Sequence, residues 1–189
     1  MGEIWFVTGG ARSGKSRYAE RLARESALDV VYIATMEPRD DELRQRVERH
    51  RADRPAAWQT IEAPLDPAAA LRSVDGDACA LLDCLSLWVA NRLMALGDQS
   101  PAEPTQKEVG ELESSLQQEV DMLIDAAEAR VAPTVIVTNE VGSGVVPEYA
   151  LGRIYRDLLG LTNQRVAARA TRAWLMASGR ALELPPTAG

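Results

Sequence analysis

The chain contains 189 residues, of which 46% are hydrophobic and 26% are charged, and it carries a net charge of −7. This length and composition predict one globular domain over residues 1–189, and the negative charge argues against a general nucleic-acid-binding protein. The most apolar stretch, residues 78–96, is interrupted by charged and amide side chains, so we predict no transmembrane helix. Two cysteines form neither a disulfide framework nor a zinc site, and we expect reduced thiols in a cytoplasmic protein.

The first elements predict a phosphate-binding loop. An apolar run over residues 4–8 predicts a buried strand, residues 17–23 predict a helix, and residues 9–16 between them match G-x-x-x-x-G-K-[ST]. In this motif backbone N–H groups and the helix N-terminus bind phosphate oxygens, the lysine reaches the β- and γ-phosphates, and the serine binds Mg²⁺. The predicted nucleotide contacts are Gly9, Gly10, Ala11, Arg12, Ser13, Gly14, Lys15 and Ser16. Ser16 is also a predicted metal ligand.

A second strand is predicted over residues 30–34, and an arginine-rich segment follows it. Five arginines lie within six residues of His50, the only histidine of the sequence: Arg44, Arg46, Arg49, Arg51 and Arg54. One interpretation is a structural imidazole on a helix whose arginines form ion pairs in solvent. The other is a triphosphate-binding segment, because guanidinium groups bind phosphate bidentately. Neighbouring cations would then lower the pKa of His50, and a neutral imidazole can attack an α-phosphate.

Four further strands are predicted, and they complete the fold class. Apolar runs over residues 58–62, 78–83, 134–138 and 173–177 alternate with helical segments. This pattern predicts an α/β, P-loop nucleotide-binding domain of the RecA-like kind, with a mostly parallel sheet flanked by helices. A capping box at residues 105–108 begins one long helix, whose apolar residues from 109 to 127 share one face. Leu151, Ile154 and Leu158 predict a similar apolar face on the last long helix.

Polar residues follow two of these strands at the edge where ligands bind in open α/β sheets. Asp83 ends an apolar strand, as does the carboxylate that lies near Mg²⁺ in many nucleotide-binding proteins. Asn139 and Glu140 follow the next strand, where they could orient water or substrate, or could cap the next segment. Residues 142–144 predict a loop over the site.

In combination, these motifs resemble the family of bifunctional adenosylcobinamide kinase/adenosylcobinamide-phosphate guanylyltransferases. The resemblance extends from Ile4 to about Gly179 and is carried mainly by residues 7–16, 32–35, 50–55 and 138–148. It implies that the protein phosphorylates adenosylcobinamide with a nucleoside triphosphate, ATP or GTP, during cobalamin biosynthesis. It also implies transfer of GMP from GTP to that phosphate through a guanylylated histidine, which would be His50.

The same resemblance implies further nucleotide-binding positions and a quaternary state. The implied positions outside the phosphate-binding loop are Ala34, Thr35, Met36, Arg51, Ala52, Asp53, Arg54, Glu62 and Asp83. Asp83 would also serve the metal. A homo-oligomer, expected to be a trimer, is implied as well.

Two other functions are compatible with the residues alone. One is a small-molecule P-loop kinase in which His50 is structural, and the other is a GTP-binding regulatory module. The bifunctional interpretation has a geometric consequence, because the two reactions attack the γ- and the α-phosphorus. One bound triphosphate cannot present both atoms in the same pose, so we expect two nucleotide poses or a movement of the segment around His50.

Overall fold

The computed structural model describes residues 2–37, 54–97 and 103–186. Its elements, in chain order, are β1 (Ile4–Gly9), α1 (Lys15–Glu25), β2 (Val30–Ala34), β3 (Gln59–Glu62), α2 (Pro67–Ser73), β4 (Cys79–Asp83), α3 (Leu85–Gly97), α4 (Gln106–Glu128), β5 (Thr134–Val137), α5 (Ala150–Arg169), β6 (Arg172–Ala177) and β7 (Arg180–Leu184). Each of the six strands predicted from the sequence corresponds to one of these strands. The predicted catalytic residue His50 and the predicted nucleotide contacts Arg51, Ala52 and Asp53 lie outside the described residues.

The strands form one sheet in the order β3-β2-β4-β5-β1-β6-β7. Every neighbouring pair is parallel except β6 and β7. This arrangement confirms the predicted fold class, an α/β domain with a mostly parallel sheet flanked by helices. In this order β5 separates β1, which leads into the phosphate-binding loop, from β4, which ends in Asp83.

Strand β7 was not predicted. It forms a hairpin with β6 through the two residues Ser178 and Gly179, both of which have positive φ (51° and 81°), as a type I′ turn requires. Most of its side chains are exposed because it is an edge strand, so it lacks the continuous apolar run that marks the buried strands. The Ser-Gly dipeptide is typical of a turn, and it could have predicted this hairpin from the sequence.

Helices cover both faces of the sheet. Among the described helices, α1 packs on one face, against β1, β4 and β5. Helices α2 to α5 bury their apolar residues with the other face, around the fully buried Trp88. Because both faces are covered, strands such as β4 are apolar in succession and do not alternate.

Two helix predictions have different outcomes. The capping box of α4 is present, since the Thr105 hydroxyl accepts from the Glu108 N–H and the Glu108 carboxylate accepts from the Thr105 N–H. The predicted apolar face of α4 is buried from Leu112 to Ala127. On α5, however, Leu151 is 47% exposed, so its predicted place on a buried face is wrong. The helical period is correct there, but the first turn of α5 extends past the rest of the core.

None of the helices within the described ranges is both long enough and apolar enough to cross a membrane.

Candidate nucleotide-binding and phosphoryl-transfer site

The phosphate-binding loop connects β1 to α1. Gly14 precedes the helix with a φ of 94°, a conformation that favours glycine, and Lys15 and Ser16 are the first two helical residues. A side chain at Gly9 would lie 2.6 Å from the carbonyl oxygen of Met176, so only glycine fits beside β6. The two outer glycines of the motif are therefore required by the backbone path of the loop.

Within this loop, the lysine is held against the backbone. The Lys15 ammonium group is buried and donates to the carbonyl oxygen of Gly10 at 2.9 Å. The Ser13 N–H donates to the same oxygen at 3.3 Å. These bonds place Lys15 inside the curve of the loop, where phosphate oxygens bind in this motif.

The β6–β7 hairpin supports the loop from the other side. The N–H of Gly179, in the hairpin turn, donates to the carbonyl oxygen of Ser13 at 2.9 Å. The backbone of Gly179 also lies so close to Gly14 that a Cβ there would be 3.3 Å from the Gly179 Cα. This contact between two glycines was missed in the sequence, because it joins residues far apart in the chain.

The other predicted positions lie along the carboxyl edge of the sheet. Glu62, Ala34, Asp83, Val137 and Val7 pair in succession across five strands. Neighbouring strands lie about 4.8 Å apart, so Asp83 is roughly 10 Å from Val7, and Glu62 is roughly 19 Å from Val7. The structure therefore brings Asp83 near the phosphate-binding loop, whereas Glu62, which is exposed, lies at the far end of the same edge.

Tyr32, whose role was not predicted from the sequence, links two of the predicted site residues. The Tyr32 hydroxyl donates to Oδ2 of Asp83 at 2.9 Å, and the guanidinium carbon of Arg54 lies 3.3 Å from the centre of the Tyr32 ring. Burial, followed by the charge of Asp83, raises the pKa of Tyr32 well above its ordinary value, so the phenol stays protonated and donates this bond. The one feature of the sequence that could have indicated this role is a hydroxyl-bearing residue inside the apolar strand β2.

Thr35 fastens the end of β2 to the residue that follows β4. Its hydroxyl donates to the Cys84 carbonyl oxygen at 2.7 Å and accepts from the Cys84 N–H at 2.8 Å. Asn91 donates to the Thr35 carbonyl oxygen at 2.8 Å. Thr35 is fully buried, so these bonds give it a structural role in fixing the position of Asp83. Its neighbour Met36 is half-buried.

A polar network extends from Asp83 toward β5. Ser86 lies 2.9 Å from the Cys84 thiol, and Asn139 donates to the Ser86 hydroxyl at 2.7 Å. Asn163 of α5 holds the Asn139 carbonyl oxygen at 3.0 Å. The side chain of Glu140, by contrast, accepts from the N–H of Gly142 at 2.8 Å. Asn139 therefore belongs to the network, whereas Glu140 closes a local turn at Gly142, and a role for either residue in orienting water or substrate stays a prediction.

The charges of Lys15 and Asp83 both act on the thiol of Cys84. Burial is the largest cause and the Asp83 carboxylate the second, and together they raise the pKa of Cys84 to about 12. The Lys15 ammonium opposes this shift. Both cysteines are buried free thiols, in agreement with the sequence prediction, and Cys84 is therefore a protonated neighbour of the site and not a nucleophile.

Comparison with known proteins identifies the family. A family model described as cobinamide kinase / cobinamide phosphate guanyltransferase matches residues 5–184. The bifunctional adenosylcobalamin biosynthesis protein CobU of Salmonella typhimurium is 45% identical over 175 residues, covering 92% of this chain and 94% of that protein. The protein CobP of the same description from Pseudomonas aeruginosa is 42% identical over 179 residues, covering 94% and 95%. The chain belongs to the cobinamide kinase / cobinamide phosphate guanyltransferase family.

Membership in the cobinamide kinase / guanyltransferase family confirms the predicted resemblance, the enzyme class and the pair of activities. Escherichia coli CobU is a third relative, 41% identical over 174 residues that cover 92% of this chain and 94% of that protein. The crystal structure of the RadB recombinase also matches, with a TM-score of 0.47 and 17% identity, covering 92% of this chain and 73% of that one. A family that transfers phosphoryl and guanylyl groups uses nucleoside triphosphates as substrates.

The donors at the family's phosphate-binding loop fit Mg²⁺. This ion commonly takes one or two protein oxygens and completes its octahedron with water and substrate phosphates. The half-buried Ser16 at the start of α1 and the Asp83 carboxylate are such donors. In the part of the chain that the structure describes, no group of three or more His, Cys, Asp or Glu residues could hold a metal ion. Ser16 and Asp83 supply at most two protein oxygens, so an ion held by them would complete its coordination with water and nucleotide phosphates.

Proposed function

We propose that this protein phosphorylates adenosylcobinamide at the phosphate-binding loop and then transfers GMP from GTP to the product through a guanylylated His50. The residues proposed to bind the nucleotide are those of the loop, residues 9–16, together with Ala34, Thr35, Met36, Arg51, Ala52, Asp53, Arg54, Glu62 and Asp83. Ser16 and Asp83 are also proposed to hold Mg²⁺.

The kinase step requires positioning and charge neutralisation more than covalent chemistry by the protein. The backbone N–H groups of the loop and the Lys15 ammonium bind the β- and γ-phosphates and stabilise the negative charge that spreads over the transferred group. Bound Mg²⁺ supplies further neutralisation of the phosphate oxygens. The hydroxyl on the aminopropanol arm of adenosylcobinamide attacks the γ-phosphorus, the bond to the β-phosphate oxygen breaks, and the hydroxyl proton is released.

The guanylyl step proceeds in two displacements. A neutral His50 ring nitrogen attacks the α-phosphorus of GTP, the bond to the β-phosphate oxygen breaks, and pyrophosphate leaves while the imidazole loses a proton. An oxygen of adenosylcobinamide phosphate then attacks the same phosphorus, and the nitrogen–phosphorus bond breaks as the ring nitrogen takes back a proton. The product is adenosyl-GDP-cobinamide, and the imidazole is regenerated.

The position of Arg54 is the observation that carries the role of His50. Arg54 stacks on Tyr32, whose hydroxyl binds Asp83, so the end of the arginine-rich segment lies beside the carboxyl edge of β4. Four residues of chain span at most about 14 Å. The connection from Arg54 to His50 is therefore short enough to let the imidazole reach a nucleotide at this edge.

Incubation with GTP labelled at the α-phosphate tests the proposal. Wild-type protein should acquire a covalent label that is stable in base and lost in acid, as a phosphoramidate is. His50→Asn keeps a polar side chain that forms no such bond, and it should acquire no label while still transferring γ-phosphate to adenosylcobinamide. A label that persists in His50→Asn would refute the proposed nucleophile. A wild-type protein that phosphorylates the corrinoid but takes up no α-label and transfers no GMP would be a kinase alone.

We also propose, from the family resemblance, a homotrimer that works in the cytoplasm. Sedimentation equilibrium measures the mass directly, and a monomeric mass at the concentration used for the assays would contradict the trimer. Expression of a tagged chain in its source cell, followed by fractionation, tests the location.

A further inference from the structure

Four exposed apolar side chains border the carboxyl edge of the sheet, in the connection between β5 and α5 and the first turn of α5. Val145, Val146 and Tyr149 are 95%, 60% and 79% exposed, and Leu151 is 47% exposed. Single exposed apolar residues are ordinary on soluble proteins, but four within seven consecutive residues are the kind of grouping that marks a binding surface. We refer to these four residues as the apolar rim.

The apolar rim adjoins the phosphate-binding loop through the backbone. The N–H of Glu140 donates to the carbonyl oxygen of Gly9 at 3.0 Å. The five residues from there to Val145 span at most about 18 Å. On the other side of the rim, α5 is tied to the end of β4, because the Tyr155 hydroxyl donates to the Ser86 carbonyl oxygen at 3.1 Å. The rim therefore begins within about 18 Å of the phosphate-binding loop, on the same edge of the sheet.

The backbone that carries the rim is held in place without a ligand. Arg153 donates to the carbonyl oxygens of Pro147 (3.1 Å) and Glu148. A Cβ at Gly152 would lie 2.8 Å from the Cβ of Pro147, so helix and loop are in close contact. A surface fixed in this way costs less conformational entropy when it binds a ligand.

Two carboxylates belong to the same connection between β5 and α5. Glu140 and Glu148 are both exposed, one at the β5 end of the connection and the other between Val146 and Tyr149. The surface thus combines apolar area with a small excess of negative charge, since the two carboxylates outnumber the one guanidinium group of Arg153. It suits a large, flat, apolar ligand with a positive charge better than it suits another phosphate.

We propose that the apolar rim binds the corrin body of adenosylcobinamide, an assignment that rests on the proposed function. Trivalent cobalt with one negative charge from the corrin ring and one from the adenosyl group leaves the ligand a cation, which complements Glu140 and Glu148. The reacting hydroxyl is at the end of a flexible arm. The ring can therefore rest on the rim while the hydroxyl reaches the phosphate-binding loop.

The double variant Val145→Ser/Tyr149→Ser tests this assignment. Both side chains are exposed, so their replacement should leave the fold intact. Equilibrium dialysis against adenosylcobinamide, followed by absorbance, should show a Kd at least about tenfold higher than that of the wild type, and the kinase KM for the corrinoid should rise equally. The kcat at saturating corrinoid, the KM for the nucleotide and the covalent label from α-labelled GTP should stay within about twofold.

Val131→Ser is the matched control. Val131 is 81% exposed but precedes β5, at the opposite edge of the sheet, so its replacement should change neither the Kd nor the KM. Glu148→Gln should weaken corrinoid binding by a smaller factor, and added salt should reduce the difference because the attraction is electrostatic.

The outcomes separate this assignment from the proposed function. If the wild type transfers phosphate to the corrinoid but the double variant binds it normally, the rim is not the corrinoid site and the proposed function stands. If the double variant changes the sedimentation mass while corrinoid binding is unchanged, the rim joins copies of the chain and the assignment is overturned. If the wild type neither binds nor phosphorylates adenosylcobinamide, both fail.

Discussion

Two arginines at opposite edges of the sheet use their charge differently. At the amino edge, buried Arg130 donates to backbone carbonyl oxygens of four residues, which are Leu71, Val74, Asp75 and Ala78. At the carboxyl edge, half-buried Arg54 stacks on the Tyr32 ring, and the Nε atoms of both arginines have no hydrogen-bond partner among the described residues. The first arrangement pairs both terminal nitrogens of the guanidinium group with the protein's own backbone, whereas the second holds the guanidinium group against an aromatic ring beside Asp83. The same residue type thus serves stability at one edge and, in our proposal, binding at the other.

Of the substitutions at the two edges, Lys15→Ala at the carboxyl edge should have the largest effect on activity. Removing the ammonium group takes away the cation that neutralises the transferred phosphate, and losses of roughly 10²- to 10³-fold in kcat are typical of such groups. We expect this loss in γ-phosphate transfer, measured with adenosylcobinamide under saturating nucleotide. Lys107→Ala is the control, because Lys107 is exposed on α4 and pairs only at the surface with Glu111. An equal loss in both variants would contradict a specific role for Lys15.

The matching change at the amino edge is Arg130→Met. It removes a donor from four carbonyl oxygens between the end of α2 and the start of β4, of which those of Leu71 and Asp75 still accept from backbone N–H groups. Each buried acceptor left without a partner costs about 1–3 kcal/mol, so we expect urea unfolding to show a loss of about 2 kcal/mol or more, with kcat of the folded protein unchanged. Arg165→Met is the control, since Arg165 pairs with Asp121 at the surface and such pairs contribute about 1 kcal/mol or less. A stable Arg130→Met protein with lost activity would reverse the roles assigned to the two edges.

The sequence predicts continuous segments of the carboxyl edge better than it predicts contacts between segments that are far apart in the chain. Residues 9–16 are recognisable because the motif has fixed spacing in one continuous segment, and the order of apolar runs is enough to predict the sheet. The bond from Gly179 to Ser13 and the link from Tyr32 to Asp83 depend on strand register and order, which the local sequence does not encode. Leu151 was mispredicted for a related reason, because a helical period identifies a face but does not identify the neighbour that covers it.

The thiols at the two ends of β4 predict a dependence of stability on alkaline pH. Burial is the first cause that raises the pKa of Cys79 to about 11 and that of Cys84 to about 12. In the unfolded chain both thiols lose their protons near pH 9, so the folded state binds more protons between that pH and the raised values. The free energy of unfolding therefore decreases as pH rises. The stability contributed by each thiol is fully present below pH 8 and falls by up to about 1.4 kcal/mol per pH unit above it.

Urea unfolding at pH 8, 9 and 10 measures this slope. Cys79→Ala and Cys84→Ala should each reduce it, whatever their effect on stability at pH 8. The two ends of β4 should differ in one respect, since the Asp83 carboxylate also raises the pKa of Cys84 and is absent from the causes that act on Cys79. Asp83→Asn should therefore narrow the pH range over which Cys84 contributes, and it should leave the slope between pH 8 and 10 unchanged because burial still keeps this thiol protonated there. An unchanged slope in both cysteine variants would show that other groups govern the alkaline transition.

The smallest expected effect, and the sharpest test of the carboxyl edge, comes from two substitutions of Tyr32. Tyr32→Phe keeps the ring under Arg54 but removes the hydrogen bond to Asp83, and a bond to a charged group contributes about 1.5–3 kcal/mol. Much of this should be recovered by water at the site, so we expect about a threefold lower kcat in both phosphoryl transfer and guanylylation. Tyr32→Leu removes the ring as well, and a cation–π contact contributes about 0.5–2 kcal/mol. Guanylylation should then fall several-fold further while phosphoryl transfer stays at the Tyr32→Phe level, because Arg54 closes the segment that carries His50. Tyr18→Leu is the control, since Arg21 lies 4.7 Å from the Tyr18 ring centre and this half-buried ring packs edge-on against Trp174, so that its loss leaves Tyr32, Asp83 and Arg54 in place. If Tyr32→Leu affected both reactions equally, Arg54 would serve the fold at this edge as Arg130 does at the other.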